Sequence, residues 1–356
     1  MNTPIASLEL EVVHRAVEKH LARFFNAKAR ETTDAHLADL RIPQTLGEFV
    51  FAGGKRLRPA LCVLGWQSAG GSGELDAVIA TAASLEMFHA FALIHDDVMD
   101  QSDIRRGQPT LHRILAGRHA DRPNPDLLGV NSGILFGDLA LSWTDELLYG
   151  ASFTAEQRQA IAPLLFAMRT EVMYGQYLDL LSTGRPTTDL GHAMLIARLK
   201  TAKYTIERPL HLGAALAGAD KALLRGLTAF SIPVGEAFQL RDDLLGVYGD
   251  PGETGKSTVD DLRAGKHTVL MALALARAEP ADERLLRFLV GDPDLTEVDA
   301  ARVRAVLDAT GARTSVERMI ATRCRRAERA LAALELPPGV TAALREFARR
   351  AAVRLS

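Results

Sequence analysis

The chain of 356 residues holds only two cysteines, Cys62 and Cys324. That is too few for a disulfide framework or a zinc site, and it fits a reducing compartment. Uninterrupted apolar runs are also missing. A membrane span needs roughly 18 apolar residues, and the best candidate, Ala77 to Ile94, is broken by Glu86 and His89. The N-terminus, MNTPIASLELEVV, has no basic segment ahead of an apolar core, so no signal peptide is expected. A cytoplasmic protein without membrane insertion is the expectation. The net charge of −2 gives no excess of positive charge to attract nucleic acid or an anionic bilayer. Lysine is scarce, eight against 34 Arg (42 minus 8). Yet Lys55, Lys200, Lys256 and Lys266 all fall in the motifs below, where a compact point charge suits a phosphate oxygen.

No segment shows the period-2 alternation of a strand. What the chain has instead is 47% hydrophobic residues, rich in Ala and Leu, in runs too long for strands. Turn signals separate these runs at Gly70-Gly71-Ser72-Gly73, in a Pro-rich loop over residues 121–126, at Thr183-Gly184-Arg185-Pro186 and at Asp250-Pro251-Gly252. Leu8, Val12, Ala16, Leu21 and Phe25 recur at helical spacing and predict an amphipathic first helix. The fold class is all-α, a large helical bundle. No linker cuts it, so residues 1–356 are expected to form one domain, with a core over about 45–290 and Arg/Ala/Glu-rich outer helices over 295–356. The arginines there fit a solvated face with pairs within each helix.

Ala90 to Asp100, AFALIHDDVMD, is an apolar helical run ending in three carboxylates. Asp96 and Asp100 are one helical turn apart and share a face, with Asp97 about 100° round. Crowded carboxylates repel one another and call for cations. Hard oxygen ligands suit magnesium, which takes one or two carboxylates plus substrate phosphates. A solvated acidic helix end is the other reading of this motif alone. FQLRDDLLGVYGD, Phe238 to Asp250, repeats the pattern with Asp242 and Asp243, but the position matching Asp100 is Gly246. Two such helix ends could face each other and hold metal ions between them.

Gly53-Gly54-Lys55-Arg56-Leu57-Arg58-Pro59 puts three cations in four residues after two glycines, either an anion clamp or a basic turn. Arg105-Arg106-Gly107 places two guanidinium groups beside the first acidic cluster, where they can bind phosphate or pair with the acids. Lys200-Thr201 opens KTAKYTIERPLHLGAAL, and Gly255-Lys256 and Gly265-Lys266 follow the second acidic motif without forming a Walker loop. His89 and His95 read as ligands or as hydrogen-bonded core residues.

GGKRLRP, HDDVMD with RRG, KT, FQLRDD and GK…GK, in this order over about residues 45 to 270, resemble the trans-isoprenyl diphosphate synthases, the polyprenyl synthetase family. The first acidic motif matches the family pattern fully; the second lacks its final Asp, at Gly246. The resemblance implies the isoprenoid synthase fold around a central cavity, a homodimer, and about three magnesium ions held by Asp96, Asp100 and Asp242, with Asp97 and Asp243 in support. It implies that Arg105, Lys200, Lys256 and Lys266 hold an allylic diphosphate, and that Lys55, Arg58, His89 and Arg106 hold isopentenyl diphosphate. Thr201 and Gln239 would offer oxygen dipoles to the developing allylic cation, and the Lys256 loop would close over the substrates.

Phe91 lies five residues before Asp96, about 7.5 Å deeper at 1.5 Å per residue, and Phe88 lies a further turn down. Ala92 leaves space beside them. On spacing alone these phenylalanines are equally core residues. An aromatic five residues before the first Asp, without another at the fourth, resembles the short-chain geranylgeranyl type. A twenty-carbon geranylgeranyl diphosphate is the expected product, with farnesyl diphosphate the alternative. A terpene cyclase would carry Asn, Ser and Glu in its second metal motif, unlike FQLRDDLLG. A non-catalytic regulatory subunit would have lost acids or clamp cations, and here only the Asp at position 246 is missing.

Overall fold

A computed structural model describes residues 10–32, 34–250 and 258–353. Among these residues helices form every element but two short strands, as the alanine- and leucine-rich runs require. Contacts group the chain into two compact units, residues 1–162 with 209–219 and residues 163–208 with 220–356.

The first unit contains α1 (Leu10–Glu31), α2 (Ala35–Asp39), α3 (Ile42–Phe51), α4 (Leu57–Ser68) and α5 (Asp76–Met99). A two-residue hairpin, β1 (Ile104–Arg105) with β2 (Gln108–Pro109), leads to α6 (Leu111–Arg118), α7 (Pro125–Tyr149) and the start of α8 (Ala155–Ser182). Val13, Val17, Leu21 and Phe25 form the buried stripe of α1. The stripe counted back from Leu21 in steps of four therefore runs through Val17 and Val13, not through Ala16 and Val12, and Leu8 lies outside the described residues. The Pro-rich loop ends at Asn124, because Pro125 opens α7 at a position where its missing N–H costs nothing. At the centre of the unit, α5 packs against α1, α4 and α7. It is long and apolar enough to cross a membrane, but most of it is buried inside the protein.

The second unit takes the rest of α8, α9 (Leu190–Ala197) and a π-helical stretch, Arg198–Glu207. Most of α10 (Arg208–Leu216) belongs to the first unit; α11 (Lys221–Tyr248), α12 (Asp260–Arg263), α13 (Val269–Leu275), α14 (Pro280–Leu289), α15 (Glu297–Ala309), α16 (Ala312–Ala332) and α17 (Pro338–Val353) complete the second. The Asp220 carboxylate caps α11 by accepting from the Leu223 N–H at 2.8 Å. Along α11, Leu227, Phe230, Val234, Leu240, Leu244 and Val247 are buried, the last three in one core with Val259 and Leu262 beside α12. Full burial of each such side chain contributes about 1.5–3 kcal/mol.

The arginine-rich C-terminal helices do more than cover the outside. Ala312, Val316, Ile320, Ala327 and Leu331 of α16 are buried, and α16 packs along α11. Arg323 donates to Glu236 at 2.8 Å, and Arg198 holds the same carboxylate at 2.7 Å. Arg241 grips Glu317 with two bonds of 2.7 and 2.8 Å and donates to the Ala352 carbonyl. Arg302 on Asp299, and Arg349 and Arg350 on Glu346, keep to the expected solvated pairs within one helix.

Phe230 is fully buried, whereas Phe288 is 77% exposed. We expect Phe230→Ala to lower the free energy of unfolding by about 4 kcal/mol through cavity formation. Phe288→Ala should stay within about 0.5 kcal/mol. Urea melts of the two variants check the contrast.

Candidate active site

In the first unit the last turn of α5 carries the acidic cluster. Asp100 caps the helix, its N–H donating to the Asp96 carbonyl at 2.8 Å. The three carboxylates differ in exposure: the Asp97 side chain is 1% exposed and that of Asp96 22%. Arg105, on β1, accounts for the difference. Its Nε donates to both Asp97 oxygens at 2.8 and 2.9 Å, and its Nη2 to Asp96 Oδ2 at 3.2 Å. Burial still raises the Asp97 pKa, so the guanidinium only partly offsets the desolvation. The pairing of arginine with acid, one of the two readings of RRG, is thus present at Arg105.

Arg106 and Gly107 form the turn of the hairpin with φ of 54° and 73°. Positive φ at both positions is the two-residue turn that suits twisted strands, and glycine takes it without strain. The turn aims Arg106 at the first basic motif, where its Nη1 donates to the Gly53 carbonyl at 2.6 Å. GGKRLRP and RRG, far apart in sequence, therefore meet.

The expected clamp of three cations is reduced to two. Arg56 is only 6% exposed; it donates to Glu86 Oε2 at 2.8 Å and to the Val50 carbonyl at 2.9 Å. It holds α4 to α5 and is not available to a ligand as a full charge. Glu86 is the residue that sequence reasoning missed. A carboxylate in the middle of an apolar helix calls for a buried cation, and that was the signal. Lys55 is exposed and Arg58 half-buried. A cleft of about 200 Å³ is lined by Gly53, Glu86, His89, Arg105 and Arg106, among others. Burial, followed by the charges of Arg58, Arg106, Arg105 and Arg56, holds the His89 pKa well below the ordinary range. Four guanidinium groups thus surround a neutral imidazole, two of them, Arg56 and Arg105, already paired with Glu86 and Asp97.

His95 takes the core role: its Nε2 lies 3.1 Å from the Ile134 carbonyl, and its ring meets Phe91 edge-on at 4.8 Å. The rings of Phe91 and Phe88 are 5.2 Å apart, with exposures of 6% and 0%. Ala92, on the open side of the helix, is half-buried.

In the second unit Lys200 and Thr201 lie in the π-helical stretch, a geometry frequent at functional sites. Lys200 Nζ donates to Asp179 Oδ2 at 2.6 Å, a partner on α8 that no local pattern pointed to. Thr201 Oγ1 donates to Gln239 Oε1 at 2.5 Å, and Gln239 Nε2 donates to Asp243 Oδ1 at 2.8 Å. This chain sets the Gln239 amide in one orientation. Burial, then the neighbouring Asp261 and Asp242, push the Asp243 pKa up to about 7 against the opposing bond from Gln239. Asp242 and Gly246 are half-buried on α11, and Lys266 Nζ sits 3.3 Å from Asp261. Lys256 and its glycine lie outside the described residues.

The donor set tests the metal. Among the described residues no three His, Cys, Asp or Glu side chains are grouped to enclose an ion. Magnesium needs only one or two carboxylates and takes its other ligands from water and phosphate, so half-buried aspartates suit it. Asp96 and Asp100 in one unit and Asp242 in the other are carboxylates of that kind.

The polyprenyl synthetase family model matches residues 41–307, three quarters of the chain. The chain belongs to the polyprenyl synthetase family. Over 264 residues, 73% of this chain and 77% of the relative, it is 34% identical to geranylfarnesyl diphosphate synthase of Aeropyrum pernix. It is 32% identical to (2E,6E)-farnesyl diphosphate synthase of Mycobacterium bovis, with 73% of this chain and 68% of that one covered. A crystal structure of geranylgeranyl pyrophosphate synthase from Corynebacterium glutamicum, complexed with isoprenyl diphosphate and magnesium, superposes with a TM-score of 0.92 at 39% identity, covering 98% of this chain and 100% of that one. The polyprenyl synthetase described here therefore has the isoprenoid synthase helical fold and is a short-chain trans-prenyltransferase. The substrates of this family are isoprenyl and allylic diphosphates, and the family, with the magnesium complex of the Corynebacterium glutamicum enzyme, indicates use of a divalent metal.

His89 carries a pH signature. Its folded pKa is depressed, so below about pH 6.5, the ordinary histidine value, the unfolded chain binds a proton that the folded one refuses. Stability contributed by this group is present above that pH and is lost as pH falls through it. We expect the ligand-free melting temperature to drop between pH 7.5 and 5.5, and His89→Gln to flatten that drop; an unchanged pH profile would contradict the placement of His89.

Proposed function

We propose that this synthetase condenses isopentenyl diphosphate with allylic diphosphates to give geranylgeranyl diphosphate, as a homodimer. The observation that carries the product length is the Phe91–Phe88 pair, two touching rings below Asp96 on α5. They would stop a growing chain that descends from the acidic cluster. The fit to a geranylgeranyl pyrophosphate synthase over nearly the whole chain supports the same product and the treatment of residues 1–356 as one catalytic domain. An exposed strip on α8, Phe166, Met173, Tyr174, Tyr177 and Leu181, supports self-association. The burial of α5 supports an enzyme in which this helix does not enter a membrane, and the cytoplasm is the compartment proposed.

About three magnesium ions, held by Asp96, Asp100 and Asp242, would neutralise the leaving diphosphate. Arg105, Lys200, Lys256 and Lys266 bind the allylic diphosphate, with Asp179 placing Lys200 and Asp97 placing Arg105. Lys55, Arg58, His89 and Arg106 bind isopentenyl diphosphate in the cleft beneath Gly53, where Arg106 is already held. The allylic carbon–oxygen bond breaks with its electron pair going to the diphosphate. The isopentenyl double bond then attacks the cation, and the released diphosphate takes the proton. Thr201 and Gln239 turn oxygen dipoles toward the cation, their orientation set by the bond between them. The Lys256 loop excludes water that would quench it.

Incubation with magnesium, isopentenyl diphosphate and each allylic primer, followed by product analysis, tests all of this. We expect a twenty-carbon product, no turnover in EDTA, and longer products from Phe91→Ala. A fifteen-carbon product would move the assignment to a farnesyl diphosphate synthase. Absence of turnover with every primer would leave a regulatory subunit.

A further inference from the structure

The two acidic motifs of this chain differ by one carboxylate. DDVMD ends in Asp100, and DDLLG ends in Gly246, four residues after Asp242. Residues four apart share a helix face, so the second motif lacks a carboxylate one turn beyond Asp242. The space at that place is nonetheless taken. A Cβ built on Gly246 would lie 2.0 Å from Asp261 Oδ2 and 3.1 Å from its Cγ, far inside contact distance.

We propose that Asp261, reaching in from α12, supplies the carboxylate that the second acidic motif lacks at Gly246. Glycine at 246 is then the condition for this arrangement, since any side chain there would push the Asp261 carboxylate off α11. Packing, not chance, brings it in: Val259 and Leu262, on either side of Asp261, share a core with Leu240, Leu244 and Val247 of α11. Arg263 Nε donates to the Leu295 carbonyl at 2.9 Å, and the Lys266 N–H donates to the Asp261 carbonyl at 3.2 Å, so both flanks are tied. Lys266 Nζ, 3.3 Å from Asp261 Oδ1, orients the carboxylate. The Asp261 side chain is still 31% exposed, enough for water or a hydrated ion to reach it. Its charge also reaches the rest of the motif, because it adds to the burial that raises the Asp243 pKa. Asp261 acts as a positioning residue for the metal site centred on Asp242, in contact with the ion or with its water.

The inference rests on the reading that Asp242 binds magnesium, and the experiment separates the two. Magnesium is titrated into the full chain at fixed inorganic pyrophosphate, and the rise in melting temperature is followed without turnover. We expect Asp261→Ala to raise the magnesium concentration at half-effect about tenfold, as loss of a supporting group does. Asp261→Asn, which keeps the size, should do the same. Gly246→Asp alone should also weaken the response, because two carboxylates then compete for one space. The double variant Gly246→Asp with Asp261→Ala should recover most of the loss. A wild-type response from Asp261→Asn, or a double variant no better than Asp261→Ala, overturns the proposal. With Asp242→Ala as control, an unchanged response there would remove the magnesium reading itself, whereas a lost response there beside an intact Asp261→Asn removes only the present inference.

Discussion

Charge that has to leave water, and must therefore be matched, governs both halves of this enzyme. Carboxylates at the ends of apolar helices resist desolvation, and an unmatched buried charge costs several kcal/mol. Each unit answers in the same way. Asp97 is covered by Arg105, Glu86 by Arg56, and Glu236 by Arg198 and Arg323. The acids left partly open, Asp96, Asp100 and Asp242, are those the family pattern assigns to metal. Burial thus separates Asp97 from Asp96 and Asp100, although their local sequence is nearly symmetrical.

The cations are sorted by the same physics. Of GGKRLRP, Arg56 joins the core and gives α4 its attachment to α5, while Lys55 stays exposed and Arg58 half-buried beside the cleft. Around His89 burial first, and then the charges of Arg58, Arg106, Arg105 and Arg56, keep the imidazole neutral, even though Arg56 and Arg105 are paired with Glu86 and Asp97. In the second unit the π-helical stretch brings Lys200 to Asp179 and Thr201 to Gln239. The bond from Gln239 to Asp243 then ties this pair to the second acidic motif.

Several features lay beyond sequence reasoning, for identifiable reasons. The partner of Arg56 is 30 residues away and that of Lys200 is 21 residues away, so neither leaves a local pattern. The hairpin at Arg105 has strands of two residues, too short for any period to appear. Of the arginines of α16, five stay exposed as a solvated face should, but Arg323 turns inward to Glu236, a partner 87 residues away that leaves no local pattern.

Local chemistry in the sequence determined the helical class, the two acidic helix ends, the basic motifs around them and, through their order, the family. These depend on residues within a turn or two of one another, where spacing alone places side chains on a shared face. Which acids stay open, which arginine is lost to the core, and whether Gly246 is a gap or a socket depend on groups from other helices. Only packing could decide them, because burial and close approach are properties of the folded chain.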